Sequence, residues 1–285
     1  MSQSNVARLL VSCADHEGIV ASLSGALSTA GANIISSDQF SSDPYGGSFS
    51  LRMEFYLPSP EERFAALSEN IAEIAKKLSM DYKLLDAGRR KRVALFVSKI
   101  EHCLLDLLWR WRHGELDMDI VAVISNHPDL QEEVARFGLP YHHIPVKKDQ
   151  KLEAEQAQLD VIGGDVDLVV MARYMQVLSP HFLENVGAPV INIHHSFLPA
   201  FAGAGPYQRA YQRGVKLIGA TAHYATEDLD EGPIIEQDVV RVSHRDDAAA
   251  LERIGADVER LVLARAVSWH LQDRILLQGH RTIVF

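Results

Sequence analysis

Four polar side chains in the stretch Val190–Asp238 are of types that can handle an acyl group: Asn192, His194, His223 and Asp230. An amide can hold a developing oxyanion, an imidazole can hydrogen-bond or carry a proton, and a carboxylate can act as base or orienter. Asn192 and His194 alternate in a short apolar run, which predicts an extended segment with both side chains on one face. A structural reading, in which the two merely cap loop carbonyls, stays open on the residues alone. Glu227, Asp228, Asp230 and Glu231 fall in the loop TEDLDEGP, which reads equally as a solvated turn. Histidines and carboxylates together could hold a metal. His194 and His195, however, are neighbours in a predicted strand and should face opposite ways, and no HExxH or similar compact set occurs, so no metal is expected. His127, His142 and His143 are expected to be structural.

These side chains need a scaffold, and the chain supplies two modules. In the first, Ala7–Cys13 reads as a strand, Asp15 as a helix N-cap, and Ile19, Leu23 and Leu27 as one helical face ended by Gly31. A strand over Ile34–Phe40, a turn at Asp43-Pro44-Tyr45-Gly46-Gly47 and an alternating strand over Ser48–Leu57 follow. A helix carrying Phe64, Leu67, Ile71, Ile74 and Leu78, and a strand near Tyr82–Leu85, complete a ferredoxin-like βαββαβ unit over 1–86. The basic segment 87–92 reads as a solvated linker.

From 93 to 285 the pattern alternates. Strands are expected at Val93–Val97, Ile120–Ser125, Tyr141–Ile144, Leu168–Met171, Val190–Ile193, Leu217–Tyr224 and Ile234–Val240. Helices are expected at Leu104–His113, Leu130–Phe137, Leu152–Ile162 and Ala248–Gln272. That order implies a Rossmann-like, mostly parallel α/β sheet covered on both faces, which takes ligands at the carboxyl ends of its strands. Asn192 and His194 sit at such an end. Pro199, Gly203, Gly205 and Pro206 mark the irregular loop that follows.

The bulk numbers narrow the partners. With 38 acidic against 28 basic residues and a net charge of −10, nucleic acid and anionic membranes are not expected as main partners. Cys13 and Cys103 show no CxxC spacing and read as free thiols of a reducing compartment. The sequence MSQSNVARLL has no secretory pattern and no apolar run approaches 18 residues, so a cytoplasmic protein is expected.

The motifs NIHHSFLPAFAGAGPY and GATAHYATEDLDEGPIIEQDV closely resemble the folate-dependent formyl-transfer family, in particular its formyltetrahydrofolate deformylase branch. LFVSKIEHCLLDLLWRWRHGEL and MARYMQVLSP extend the resemblance over nearly all of 89–285. It implies that Asn192, His194 and Asp230 form a catalytic trio, with His223 supporting it. It also implies that Met175, Gln176, Val177 and Leu178, with Glu227 and Asp228 in the 225–230 loop, hold the folate pterin, largely through backbone groups. The first module resembles an ACT domain, whose ligand turn Asp15, Gly18 and Ile19 match in DHEGIV. That implies an amino-acid effector and a homo-oligomer.

The trio alone does not distinguish a hydrolase from a transferase. A transferase of the family that holds a ribose phosphate after the first parallel strand uses a Gly/Ser/Asn-rich turn opening a helix, where backbone N–H groups cradle the phosphate. Here that turn is Ser98-Lys99-Ile100-Glu101-His102, with no glycine and a carboxylate that would repel phosphate. His195 stands where the transferases of the family carry proline. The methionyl-tRNA branch carries a further C-terminal domain and a basic surface that this chain does not match. The expectation is hydrolysis of 10-formyltetrahydrofolate, as substrate, to tetrahydrofolate and formate, without a cofactor. The formate would feed purine synthesis and the reaction would balance the one-carbon folate pool. The alternatives are formyl transfer of the phosphoribosylglycinamide type and a non-catalytic amino-acid sensor. Ala202 and Gly205 stand where the family often has larger residues, at the site entrance.

Overall fold

Alternation on β1 (Val6–Ala14) sends Ala7, Leu9 and Val11 to one side, and Phe49, Leu51, Met53 and Phe55 do the same on β3 (Ser48–Tyr56). Against that face pack α1 (Ile19–Thr29), through Ile19, Leu23 and Leu27, and α2 (Pro60–Lys77), through Leu67, Ile71 and Ala75. With β2 (Asn33–Ser41) and β4 (Asp81–Asp86) the strands form an antiparallel sheet ordered β2-β3-β1-β4. The expected βαββαβ unit is therefore present. The structure, a computed structural model, describes residues 5–43, 45–200 and 205–285. Pro44, Ala202 and Gly203, named above, lie outside the described residues.

Asp15 does not cap α1. Gly18 takes the N-cap position at φ 85°, and the Asp15 carboxylate accepts from the Ser41 hydroxyl instead. A left-handed residue is needed before Ile19, and glycine adopts that conformation without penalty.

The second unit contains β5 (Lys91–Val97), α3 (His102–Arg112), β6 (Met118–Ser125), α4 (Gln131–Ala135), β7 (Tyr141–His143), α5 (Lys151–Ile162) and β8 (Leu168–Met171). It continues through α6 (Pro180–Asn185), β9 (Val190–His194), α7 (Pro206–Arg213), β10 (Leu217–Tyr224), β11 (Ile234–Arg241) and α8 (Ala248–Leu271). The sheet order is β11-β10-β9-β8-β5-β6-β7. The five strands from β9 to β7 run parallel, and β10 and β11 are antiparallel additions. The strand order reverses between β5 and β8, which is where such sheets open a crevice for ligands. A separate two-stranded sheet pairs β12 (Ile275–Gln278) with β13 (Arg281–Val284).

The linker and the domain ends differ from expectation. Contacts divide the chain after Arg90, and Gln272–Leu276 and Ile283–Phe285 group with the first unit rather than the second. Lys91 and Arg92 belong to β5, not to a solvated linker. The Arg92 backbone donates to Asp167 at 2.8 Å, its side chain to the Asp165 carbonyl at 2.7 Å, and Lys91 to the His270 carbonyl at 2.9 Å. Among the described residues no helix is long and apolar enough to cross a membrane.

Candidate active site

The pairing of β9 with β10 sets His223 opposite Asn192, and the two-residue period of β9 puts His194 on the same face as Asn192. Asp230 arrives from the β10–β11 loop at φ 60°, and its side chain is only 8% exposed. Its Oδ1 lies 3.2 Å from His194 Nδ1 and 3.9 Å from His223 Nε2. Asn192 Nδ2 lies 3.3 Å from His223 Nε2.

A proton assignment follows from the partners. His223 Nδ1 lies 3.0 Å from the Tyr224 carbonyl, which can only accept, so Nδ1 carries the proton. Burial lowers the His223 pKa and keeps the ring neutral, which leaves Nε2 as an acceptor for the Asn192 amide. Nδ2 has a second hydrogen for another acceptor. His194 faces Asp230 with Nδ1, and its buried Nε2 has no hydrogen bond among the described residues.

The trio lines an open cavity of about 220 Å³. Met175, Gln176, Val177, Leu178 and Asp228 line it too. Glu227 does not, and it is exposed. His194 and His195 do not face opposite ways: both line the cavity, with ring centroids 5.3 Å apart. His195 lies past the last residue of β9, where strand alternation no longer holds. Burial and the Arg173 charge lower its pKa to about 4. His127 and His142 are absent from the lining, and Tyr141 donates to the His127 carbonyl.

Three groups that sequence reasoning passed over hold this site. The Ser98 hydroxyl donates to Asn126 Oδ1 at 2.7 Å and accepts from the Met175 backbone at 2.9 Å, fixing the start of the 175–178 loop. Glu155, buried on α5, accepts from the Ser179 backbone at 2.9 Å and fixes the end of that loop. Glu259 of α8, 1% exposed, is met by His102 Nε2 at 2.8 Å, the Tyr207 hydroxyl at 2.5 Å and Arg173 Nε at 3.4 Å. Burial pushes the Glu259 pKa up, but these partners outweigh it and hold the carboxyl below its usual range. The only advance signal was a charged residue at an apolar helical position, visible for Glu155 and Glu259 alike.

His102, Cys103 and Glu259 could also place ligand atoms within 4.8 Å of one another, a grouping that sequence spacing did not suggest. The Arg173 guanidinium beside Glu259 opposes a cation there, and burial keeps the Cys103 thiol well above its usual pKa, as a thiol rather than a thiolate ligand.

In the first unit, Gly18 has nothing within 4 Å of where a Cβ would stand, so its backbone is open to approach. The Ile19 side chain is buried in the core, so only its backbone could meet a ligand.

Residues 91–267 match the family model described as formyl transferase. A formyltetrahydrofolate deformylase of Mycobacterium tuberculosis is 58% identical over 282 residues, spanning 99% of this chain and 91% of its own. The crystal structure of a formyltetrahydrofolate deformylase from Pseudomonas syringae aligns with a TM-score of 0.93 at 47% identity, covering 98% of this chain and 94% of that one. The chain belongs to the formyltetrahydrofolate deformylase family. A glycinamide ribonucleotide transformylase from Symbiobacterium toebii also aligns, with a TM-score of 0.64 at 28% identity, but over only 69% of this chain. The deformylase relatives thus extend over both units.

Proposed function

We propose that the protein hydrolyses 10-formyltetrahydrofolate to tetrahydrofolate and formate. The observation that carries this reading is the convergence of Asn192, His194 and Asp230 in one cavity. The formyl oxygen takes the second Asn192 N–H and a proton on His194 Nε2, so the oxyanion of the tetrahedral intermediate meets two donors. Each donor of this kind is worth about 3–4 kcal/mol in the transition state. Asp230 takes the proton of the attacking water and returns it to N10 as the C–N10 bond breaks. His223 holds the Asn192 amide in register. These acid–base steps draw on no cofactor. Met175–Leu178 and Asp228 hold the pterin, and Glu227 plays no part in the lining.

The loop after β5 favours water over a phosphorylated acceptor. Ser98 is committed to Asn126 and Met175, His102 to Glu259, and Glu101 stands at the N-cap of α3 without a side-chain cap bond. No glycine turn there offers backbone N–H groups to phosphate.

The decisive assay is formate release from 10-formyltetrahydrofolate by the wild type and by Asp230→Asn. Wild-type turnover is expected, with at least a thousand-fold lower kcat in the variant and folate affinity retained within a few-fold. A variant turning over at the wild-type rate would remove Asp230 from the chemistry. No formate from the wild type at any amino-acid concentration would favour a sensor.

The first unit is the effector module of this reading: a small amino acid docks on the backbone turn at Asp15, Gly18 and Ile19, and copies pair through that unit. A cytoplasmic setting agrees with the free thiols Cys13 and Cys103. Sedimentation should give an oligomer at micromolar concentration, and a stable monomer would contradict the pairing.

A further inference from the structure

Water and an amine attack the same formyl carbon, so a hydrolase of this fold needs something that admits one and not the other. At the carboxyl end of β8 the chain places Arg173 at φ 64°, a left-handed conformation that side-chain-bearing residues rarely adopt. Such strain persists only where the surroundings hold it, and it gathers at functional sites. Arg173 is 7% exposed and lines the cavity with Asn192, His194 and His195. Among the described residues its buried Nε and Nη1 make no hydrogen bond, and its one ion-pair partner is Glu259 at 3.4 Å. Glu259 in turn is fixed by His102 from the start of α3 and by the Tyr207 hydroxyl from α7. An acceptor would have to come in beside the loop after β5, because the 175–178 and 225–230 loops are given to folate. The Arg173–Glu259 pair stands at that end. Displacing the guanidinium would leave a fully buried carboxylate short of its positive partner, so the pair does not yield to an incoming second substrate.

Building on the hydrolase reading, we propose that Arg173, anchored by Glu259, is the specificity-determining residue that closes the acceptor end of the cavity and reserves the formyl carbon for water. In the native reaction a water oxygen bonds to the formyl carbon, its proton passes through Asp230 to N10, and the C–N10 bond breaks, giving formate. With the end open, an amine nitrogen forms the new bond, loses its proton by the same route, and leaves as a formamide while N10 is released. Neither course changes an oxidation state overall.

The test is partition of the formyl group between water and added hydroxylamine, with formate, formohydroxamate and tetrahydrofolate measured together and an enzyme-free blank subtracted. Arg173→Gly suits the left-handed backbone, and Arg173→Gly with Glu259→Gln removes the stranded carboxylate should the single variant fold poorly. Wild type should give formate without enzyme-dependent hydroxamate. At least one variant should keep releasing tetrahydrofolate with the hydroxamate share raised at least tenfold. An unchanged share in active variants, loss of tetrahydrofolate release in both, or hydroxamate already formed by wild type would each overturn the proposal. Absence of formate from wild type would instead defeat the hydrolase reading beneath it.

Discussion

His195 follows the last residue of β9, and burial together with the Arg173 charge brings its pKa down to about 4. An unfolded histidine titrates near 6.5. Between about pH 6.5 and 4 the unfolded chain therefore binds more protons than the folded one, and stability falls as the pH falls through that window. At its full extent the loss is about 3 kcal/mol, an upper figure for a ring that is only partly enclosed. His195→Gln removes the titration, so its melting temperature should drop less than that of wild type between pH 7 and 4.5. Equal drops would mean that the ring is not held neutral. His223 shifts in the same direction through burial, and once protonated its Nε2 can no longer accept from Asn192. At this scale the sequence was readable where chemistry and spacing coincide. Asn192 and His194 share a face two residues apart, and the β9–β10 register adds His223. Arg173, Glu259 and His102 were not readable as a set, because they meet only through the fold, from three elements far apart in the chain.

Ser179 shows how a short element can set a loop that lines the cavity. Its hydroxyl accepts from the Phe182 backbone at 3.2 Å, capping α6, and also donates to the buried Glu155 carboxylate. Its own N–H reaches Glu155 at 2.9 Å. Ser179→Ala should cost about 1 kcal/mol as a lost cap and leave one Glu155 oxygen without its donor. The neighbouring segment Met175–Leu178 would loosen, so KM for the folate substrate should rise several-fold with kcat within about twofold. A fall in melting temperature with KM unchanged would show the cap to be purely structural. The two amphipathic helices of the first unit were legible because Ile19, Leu23 and Leu27, and Leu67 and Ile71, repeat over several turns. α6 has 6 residues and α7 has 8, too few turns for a period to show. β12 and β13 have 4 residues each and escaped for the same reason. Asp15 misled because its type suits a cap, while the backbone needed a left-handed residue at Gly18.

The order of elements along the chain revealed two units, but not that the chain returns to the first at Gln272–Leu276 and again at Ile283–Phe285. Nothing in the spacing of Gln272–Leu276 distinguishes it from the tail of the α8 unit. What binds it is a set of polar groups on the sheet face opposite the first unit's core. Arg52 donates to the carbonyls of Gln272 at 2.9 Å and Asp273 at 3.0 Å, and Arg8 pairs with the Asp273 carboxylate at 3.0 Å. Glu54 bridges the two arginines at 2.9 and 2.7 Å, and their hydrogen bonds outweigh burial to hold its pKa low. Sequence patterning records which residues are apolar, and this return segment is recognised by charge. Asp273 sits at φ 52°, a conformation asparagine tolerates, so Asp273→Asn removes the charge with little backbone disturbance. A hydrogen bond to a charged group is worth about 1.5–3 kcal/mol, and Arg8 keeps Glu54, so a loss near the lower figure is expected. Because the Arg8 and Asp273 side chains are each 10% exposed, added salt should restore little of it. Amide exchange in β1 and β3 should quicken by about tenfold, while kcat, on the roles proposed for Asn192, His194 and Asp230, stays within about twofold. Unchanged exchange in those strands would show that the carboxylate does not anchor the returning chain.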